Sequence, residues 1–259
     1  MGDECLMSNL TVQDLVKQYS LEGKSFTVLD KLSFSVDSGD FLTILGPSGC
    51  GKTTLIRCIC SIEEPTSGKI LLDGEPISGI GPDRLMVFQD FNQLFPWKTV
   101  IENVIYPLKL NKVSGDMKVL TRRAEEFLEL VHLSEFKHAY PNQLSGGMRQ
   151  RVAIARSLAL NPKVLVMDEP FGALDAQTRS ILQKELKTLW RKFKTTIIFI
   201  THNVQEAILL GSKVMVLSLS PARIKYYEEN PLPEPRMPET PEFMDLWHTL
   251  YDQLDTRRY

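Results

Sequence analysis

The sequence predicts an α/β fold: a mostly parallel sheet, preceded by an antiparallel β region and interrupted by an inserted helical subdomain. Three observations predict it. The runs Phe41-Leu42-Thr43-Ile44-Leu45, Val164-Leu165-Val166-Met167 and Thr196-Ile197-Ile198-Phe199-Ile200-Thr201 are apolar almost throughout, without polar alternation. That is the pattern of strands buried on both faces, as crossover helices demand of a parallel sheet. The glycine-bearing stretch Gly46-Pro47-Ser48-Gly49-Cys50-Gly51-Lys52-Thr53 joins the first of these runs to a helix-competent run, Thr54-Leu55-Ile56-Arg57-Cys58-Ile59. Between residues 90 and 160 the apolar spacing turns helical, which marks an insertion within the α/β body.

Taken in order, Leu10-Thr11-Val12-Gln13-Asp14-Leu15-Val16 and Leu32-Ser33-Phe34-Ser35-Val36 have the alternation of antiparallel strands. Ser38-Gly39-Asp40 turns the chain into the strand at 41–45. After the helix that follows the glycine loop, Pro65-Thr66-Ser67-Gly68 is a turn and residues 69–74 are a strand ending in another. Leu85-Met86-Val87-Phe88 is a short buried strand closed by Gln89. Helical segments follow at 100–110, 119–131 and 148–160, with no low-complexity tether among them. Phe171-Gly172-Ala173-Leu174-Asp175 then leads into a helix at 179–192, and Val214-Met215-Val216-Leu217 is a further strand, with residues 223–227 forming an edge hairpin beside it. Prolines at 231, 233, 235, 238 and 241 extend the chain over 230–241. A terminal helix carries Phe243, Met244, Leu246, Trp247, Leu250 and Leu254 at a spacing that docks against a neighbour, in this chain or another protein.

Composition bounds the function. The 259 residues are 43% hydrophobic and 24% charged, with a net charge of −2, ordinary for a globular protein and without the basic excess of nucleic-acid binding. No apolar run approaches the ~20 residues of a membrane span. The acidic start, Met1 to Leu6, lacks the basic n-region and apolar core of a signal peptide, and Leu6 stands where a myristoylation signal at Gly2 needs serine or threonine. Cys5, Cys50, Cys58 and Cys60 have no metal or disulfide spacing, which fits a reducing, cytosolic compartment.

The chemistry concentrates at a few positions. Gly46 to Thr53 matches G-x-x-x-x-G-K-[ST] in strand–loop–helix context. Its glycines permit positive φ and close approach, its N–H groups and the helix N-terminus face an anion, Lys52 adds a charge for β/γ-phosphates, and the Thr53 hydroxyl can ligate Mg²⁺. The thiol of Cys50, inside the loop, is expected to be shielded by a bound nucleotide. Ser145, an N-cap followed by Gly146 and Gly147, suits a second anion site, though alone it also fits a plain capped helix. Asp168 and Glu169 abut a buried strand, where one carboxylate can serve a Mg²⁺ shell and the next accept a proton from water. His202 ends the 196–201 strand. Gly46, Gln89, Asp168 and His202 therefore all fall at or just after strand carboxyl ends, where parallel sheets bind ligands. Tyr19 and Phe26 each offer a ring to a nucleotide base, and each also fits as a core or turn aromatic.

These residues together resemble the ATP-binding subunit of ATP-binding-cassette (ABC) transporters, from about residue 10 to about 225. The resemblance rests on the loop at 46–53, the signature Leu144-Ser145-Gly146-Gly147-Met148-Arg149-Gln150, the strand and acidic pair at 164–169, Ala173-Leu174-Asp175, Gln89 and His202, in the family's order. Gly81 to Gln89, Leu94-Phe95-Pro96-Trp97, Leu144 to Arg151 and Asp168 to Asp175 look like the branch serving nitrate, sulfonate, taurine and related importers. Cys60-Ser61-Ile62-Glu63 and Asn203 depart from the family pattern.

The resemblance implies a P-loop NTPase core at 8–228, with the helical subdomain at about 90–160 inserted in it, and a C-terminal extension at 229–259. It implies ATP and Mg²⁺ as cofactors. ATP would be held by Tyr19 (Phe26 second), Gly46, Pro47, Ser48, Gly49, Cys50, Gly51, Lys52, Thr53 and Thr54, with Thr53, Gln89 and Asp168 around the metal. Glu169 would polarise water, His202 would hold the γ-phosphate, Gln89 would sense it and Lys52 would complete the catalytic set. The signature would serve the nucleotide of a second copy in a head-to-tail dimer, with Asp175 at the seam. Implied partners are integral membrane permease subunits, contacted near Phe95-Pro96-Trp97, and indirectly a substrate-binding protein, but no nucleic acid. The implied place is peripheral, on the cytoplasmic side of the membrane. The alternative, a soluble ABC ATPase acting on nucleic acid or ribosomes, needs a long coiled coil between Gln89 and Ser145 or a second cassette, and the sequence has neither sustained heptads nor a repeat.

Overall fold

The structure, a computed structural model, describes residues 9–113 and 115–254. Gly2, Cys5, Leu6, residue 8 and residues 255–259, on which some of the expectations above rest, lie outside them. In chain order the elements are β1 Leu10–Leu21, β2 Lys24–Val36, β3 Phe41–Leu45, α1 Lys52–Ile59, β4 Ser67–Leu72, β5 Glu75–Pro76, β6 Arg84–Val87, α2 Val100–Leu110, α3 Met117–Leu130, α4 Gly146–Leu158, β7 Val164–Asp168, α5 Ala176–Phe193, β8 Thr196–Ile200, α6 Val204–Leu210, β9 Lys213–Leu217, β10 Ile224–Glu229 and α7 Pro241–Leu254. The chain divides into two compact units, one formed by the residues up to Ile80 together with those from Lys194 onward, the other by Gly81–Phe193.

The first unit holds two sheets. One is antiparallel, in the order β2-β1-β4-β5. Its hairpin is longer than alternation alone indicates, because the register between β1 and β2 shifts at Val12/Leu15 and again on either side of Lys17. Each bulge adds a residue that re-phases the inward and outward faces, so the alternation breaks in sequence while the strand continues to Leu21. In the other sheet β3 lies between β8 and β9, parallel to both, with Phe41 opposite Ile197 and Leu45 opposite Val216, and β10 closes the edge antiparallel to β9. Every residue of β3 and of β8 is buried.

The terminal helix finds its neighbour in this same unit. Phe243, Leu246 and Leu250 of α7 pack on Val204, Ala207 and Ile208 of α6, on Val214 and Val216 of β9, and on Leu45. The segment after 228 is therefore built into the core and does not form a body of its own.

In the second unit β6 and β7 pair in parallel, Val87 opposite Met167. This unit is broader than the helical stretch at 90–160, since it includes both strands and α5. Thr99 and Glu102 form a reciprocal capping box on α2, and Asp116 caps α3. The loop before α2 is fixed from behind by the wholly buried Asn103. Its amide oxygen accepts from Phe95 N at 2.8 Å, and its amide nitrogen donates to the carbonyls of Phe95, Lys98 and Thr99. Held this way, the loop turns Trp97 outward, 70% exposed, with the Phe95 ring tilted against it at 5.7 Å; Trp97 is not a core residue of the helical subdomain.

Cys50, Cys58 and Cys60 are all buried. The Cys50 sulfur lies 2.8 Å from where a Cβ on Gly46 would stand, beneath the glycine loop and away from its open side. Burial raises its pKa, and burial pushes the Cys58 thiol up to about 11. The expectation that nucleotide shields Cys50 is thereby replaced by one of permanent shielding. In a Cys5→Ser background, native protein at pH 8 should react slowly with a maleimide, at the same rate with and without MgATP, as mass spectrometry of the labelled chain would show. Phe243→Ala should lower unfolding stability by about 3 kcal/mol or more in urea titrations, whereas Met244→Ala, on the exposed side of α7, should change it by less than about 0.5 kcal/mol.

Candidate active site

In the first unit the glycine loop begins one residue after β3, and His202 lies two residues after β8, its parallel neighbour. Both therefore stand at the same edge of the sheet, as the strand-end argument requires. Gly49 has φ +75° and its Cβ position opens on empty space. Gly51, the N-cap of α1, has φ +115°, and a side chain there would meet Val28 Cγ1 at 2.9 Å. Only glycine meets both conditions.

Because Gly51 brings no side chain, no N-cap side chain bonds to the first turn of α1, and a helix N-terminus of this kind suits an anion. Lys52 is 6% exposed and its ammonium donates to Gly46 O at 2.8 Å and Pro47 O at 2.9 Å. Those bonds hold the charge over the loop and use two of its three donors. This cradle fits a polyphosphate. Ser48 and Gly49 form its exposed crest, Cys50 contributes backbone alone, and Thr53 and Thr54 open α1.

Tyr19 and Phe26 are directly opposed across the β1–β2 hairpin, their rings stacked 5.8 Å apart. The Tyr19 hydroxyl donates to the Glu63 carboxylate, which also pairs with Arg57 at 3.1 Å and Lys17 at 3.7 Å. Burial and the bond to Glu63 raise the Tyr19 pKa. Burial pushes Glu63 up as well, but the bonds from Tyr19 and Arg57 and the charge of Lys17 prevail and hold it below the usual carboxylate range. Tyr19 is thus locked at its hydroxyl end while Phe26 is 49% exposed. Glu63 was not singled out by the sequence for this work. The only signal was that residues 60–63 depart from the family pattern. His202 is exposed, and Asn203 after it caps α6 by accepting from Glu206 N at 3.1 Å. Asparagine caps as well as aspartate, so this departure leaves the local fold intact.

In the second unit, Gln89 follows β6 and Asp168 ends β7, so the parallel pairing sets them at one edge. Asp168 is 8% exposed. Glu169 has φ +40°, unusual for a residue with a side chain and the sort of backbone strain that collects at working sites. Around Gly172 the space is shared: a Cβ there would lie 3.8 Å from both Gln89 Nε2 and Glu169 Oε2. The amide and the carboxylate thus converge on one small volume, which the sequence alone does not reveal.

The signature also sorts by depth. Leu144, Gly147 and Gln150 are buried, and Met148 and Arg149 are half-buried. Ser145 is exposed at the N-cap of α4, its oxygen accepting from Met148 N at 3.3 Å and its O–H still able to donate. A Cβ on Gly147 would meet Thr178 Cγ2 at 2.8 Å, so glycine lets α4 approach α5. Asp175 accepts from Thr178 N at 3.0 Å, and that backbone bond lowers its pKa although the side chain is open to solvent.

A family model described as "ABC transporter" matches residues 29–172. An uncharacterized ABC transporter ATP-binding protein of Methanocaldococcus jannaschii is 47% identical over 91% of this chain and 87% of its own length. An aliphatic sulfonates import ATP-binding protein of Bacillus cereus is 40% identical over 95% and 96%, and a nitrate import ATP-binding protein of Synechocystis sp. is 45% identical over 84% and 80%. Among solved structures, a dimeric bacterial ABC transporter cassette superposes with a TM-score of 0.76 at 31% identity, covering 85% of this chain and 98% of that one. A dimeric post-hydrolysis cassette bound to ADP and phosphate gives 0.75. With a phosphate cradle, an acidic strand end and the signature helix in one chain, the protein belongs to the ABC transporter family, as one of its ATP-binding, ATP-hydrolysing subunits.

Proposed function

We propose that this ATPase powers an importer, working as a head-to-tail pair of copies on the cytoplasmic face of the membrane beneath separate permease subunits. The cargo would be a nitrate-, sulfonate- or taurine-type anion, delivered by a substrate-binding protein that this chain meets only through the permease. Relatives named for sulfonate and nitrate import, matched over most of their length, support the import direction and the anionic cargo. Among the described residues no helix is long and apolar enough to cross a membrane, and the exposed Trp97 beside Phe95 offers a surface for the permease. The observation that carries the paired reading is Ser145. Its helix is packed, yet its hydroxyl and the helix N-terminus face solvent, and an anion-binding end so placed suits a nucleotide brought by another copy.

In this reading Lys52 and the N–H groups of residues 49–54 bind the β/γ-phosphates, and Tyr19, backed by Phe26, bears the adenine. Thr53, Asp168 and Gln89 would hold Mg²⁺, and the bound metal would withdraw charge from the phosphates. Glu169 accepts a proton from water as its oxygen bonds to the γ-phosphorus, the bond from that phosphorus to the β–γ bridging oxygen breaks, and ADP and phosphate result. His202 steadies the γ-phosphate. Ser145 and Gly147 of the second copy close the other face, so that bound ATP favours the joined pair and hydrolysis releases it.

Glu169→Gln should leave ATP affinity within about threefold of the parent and lower kcat by about two to three orders of magnitude. It should also elute as an ATP-dependent dimer on size-exclusion chromatography; full turnover would remove Glu169 from the role of base. Ser145→Arg should abolish that dimer while ATP binding to the single chain, read by fluorescent-nucleotide titration, stays near the parent value. Loss of binding instead would sink the shared-site reading. For the cargo, proteoliposomes holding the chain with its co-purified permease and binding protein should take up labelled taurine or nitrate in an ATP-dependent way.

A further inference from the structure

The segment after β10 does more than fill a groove. The Arg236 side chain is 5% exposed. Its Nη1 donates to Gly211 O at 2.7 Å, Ile208 O at 2.9 Å and Leu209 O at 3.4 Å. Asn230 joins it, donating to Ile208 O at 2.9 Å and Gly211 O at 3.1 Å. These are the carbonyls that the C-terminus of α6 leaves without helical partners, and a guanidinium there also complements the negative end of the helix. Gly211 leaves no slack, since a Cβ on it would stand 2.5 Å from Thr43 Oγ1.

The other end of α6 is bound to the turn that carries His202. Asn203 N donates to Thr201 Oγ1 at 3.0 Å, Thr201 Oγ1 donates to the Glu206 carboxylate, and Thr201 N donates to Ile44 O at 3.2 Å. Phe243 and Leu250 press α6 and Leu45 from the same core, and Leu45 immediately precedes the glycine loop. Clamping the far end of α6 therefore fixes where its near end, and the backbone of residues 201–203, can stand.

We infer that Arg236, assisted by Asn230, is a positioning residue for His202, acting through α6 from a segment outside the family's motifs. The inference rests on the proposed role of His202 in hydrolysis, and the test separates the two. In the full-length chain, Arg236→Met should lower kcat about tenfold with KM for ATP changed less than about twofold. Arg236→Lys, which restores a donor to the same carbonyls, should recover most of that loss. In a His202→Ala background, Arg236→Met should cause no further fall in single-turnover rate, because there is no imidazole left to position. An equal further fall there would overturn the inference, as would wild-type kcat in Arg236→Met or a rise in KM alone. His202→Ala with wild-type turnover would overturn the role of His202 and the inference together. If Arg236→Met does not fold, Asn230→Ala, which removes two of the five bonds, should give a smaller loss of kcat that likewise vanishes in the His202→Ala background; an additive loss would again overturn the proposal.

Discussion

Everything in the first unit hangs on the burial of β3. Its five residues have no exposed face, and their amides must be met by β8 on one side and β9 on the other. A buried strand with an unpaired edge would forfeit several hydrogen bonds to no gain, so the register is forced. Once Ile44 is opposite Ile200 and Leu45 opposite Val216, the glycine loop and the turn at 201–203 must emerge at the same edge. The loop then needs glycine at 49 for its positive φ and at 51 both for positive φ and because Val28 lies against it. The chemistry is thus fixed by pairing first and by side chains second.

The second unit obeys the same logic on a smaller scale. Parallel pairing of β6 with β7, Val87 opposite Met167, brings Gln89 and the Asp168-Glu169 pair to the same edge, and the Gln89 amide and the Glu169 carboxylate both border the space beside the small Gly172. The signature helix separates its tasks by depth. Buried Leu144, Gly147 and Gln150 attach α4, and Ser145 turns outward at its N-cap. A motif that is continuous in sequence is therefore half scaffold and half surface.

Most of this was legible before any coordinates. Uninterrupted apolar runs gave β3, β7 and β8, helical spacing gave α2 and α4 to within two residues, and the glycine loop announced its own geometry. What was not legible depends on contacts between distant residues. The bulges in β1 hide half of the hairpin because they break the alternation that marks strands. The partnership of Glu63 with Tyr19 spans 44 positions, and no periodicity reports it. The docking of α7 was readable as a sticky face but not as a destination, since a stripe of Phe243, Leu246 and Leu250 has the same spacing whatever it covers. Arg236 sits among prolines that read only as an extended segment, while its guanidinium closes a helix more than twenty residues earlier.

The support of the 95–99 loop has a consequence for how such a subunit changes over time. Asn103 gathers that loop from within, through main-chain groups alone. With the Thr99 cap and the Phe95 ring against Tyr106, these bonds set the shape of the loop without drawing on the outward Trp97. Trp97 and its exposed neighbours are free to be exchanged without unsettling the helices behind them or the strands that carry the carboxylates. A motor body built this way can change the few residues displayed at this surface while the machinery that burns ATP stays as it is, so the two are able to evolve on separate clocks.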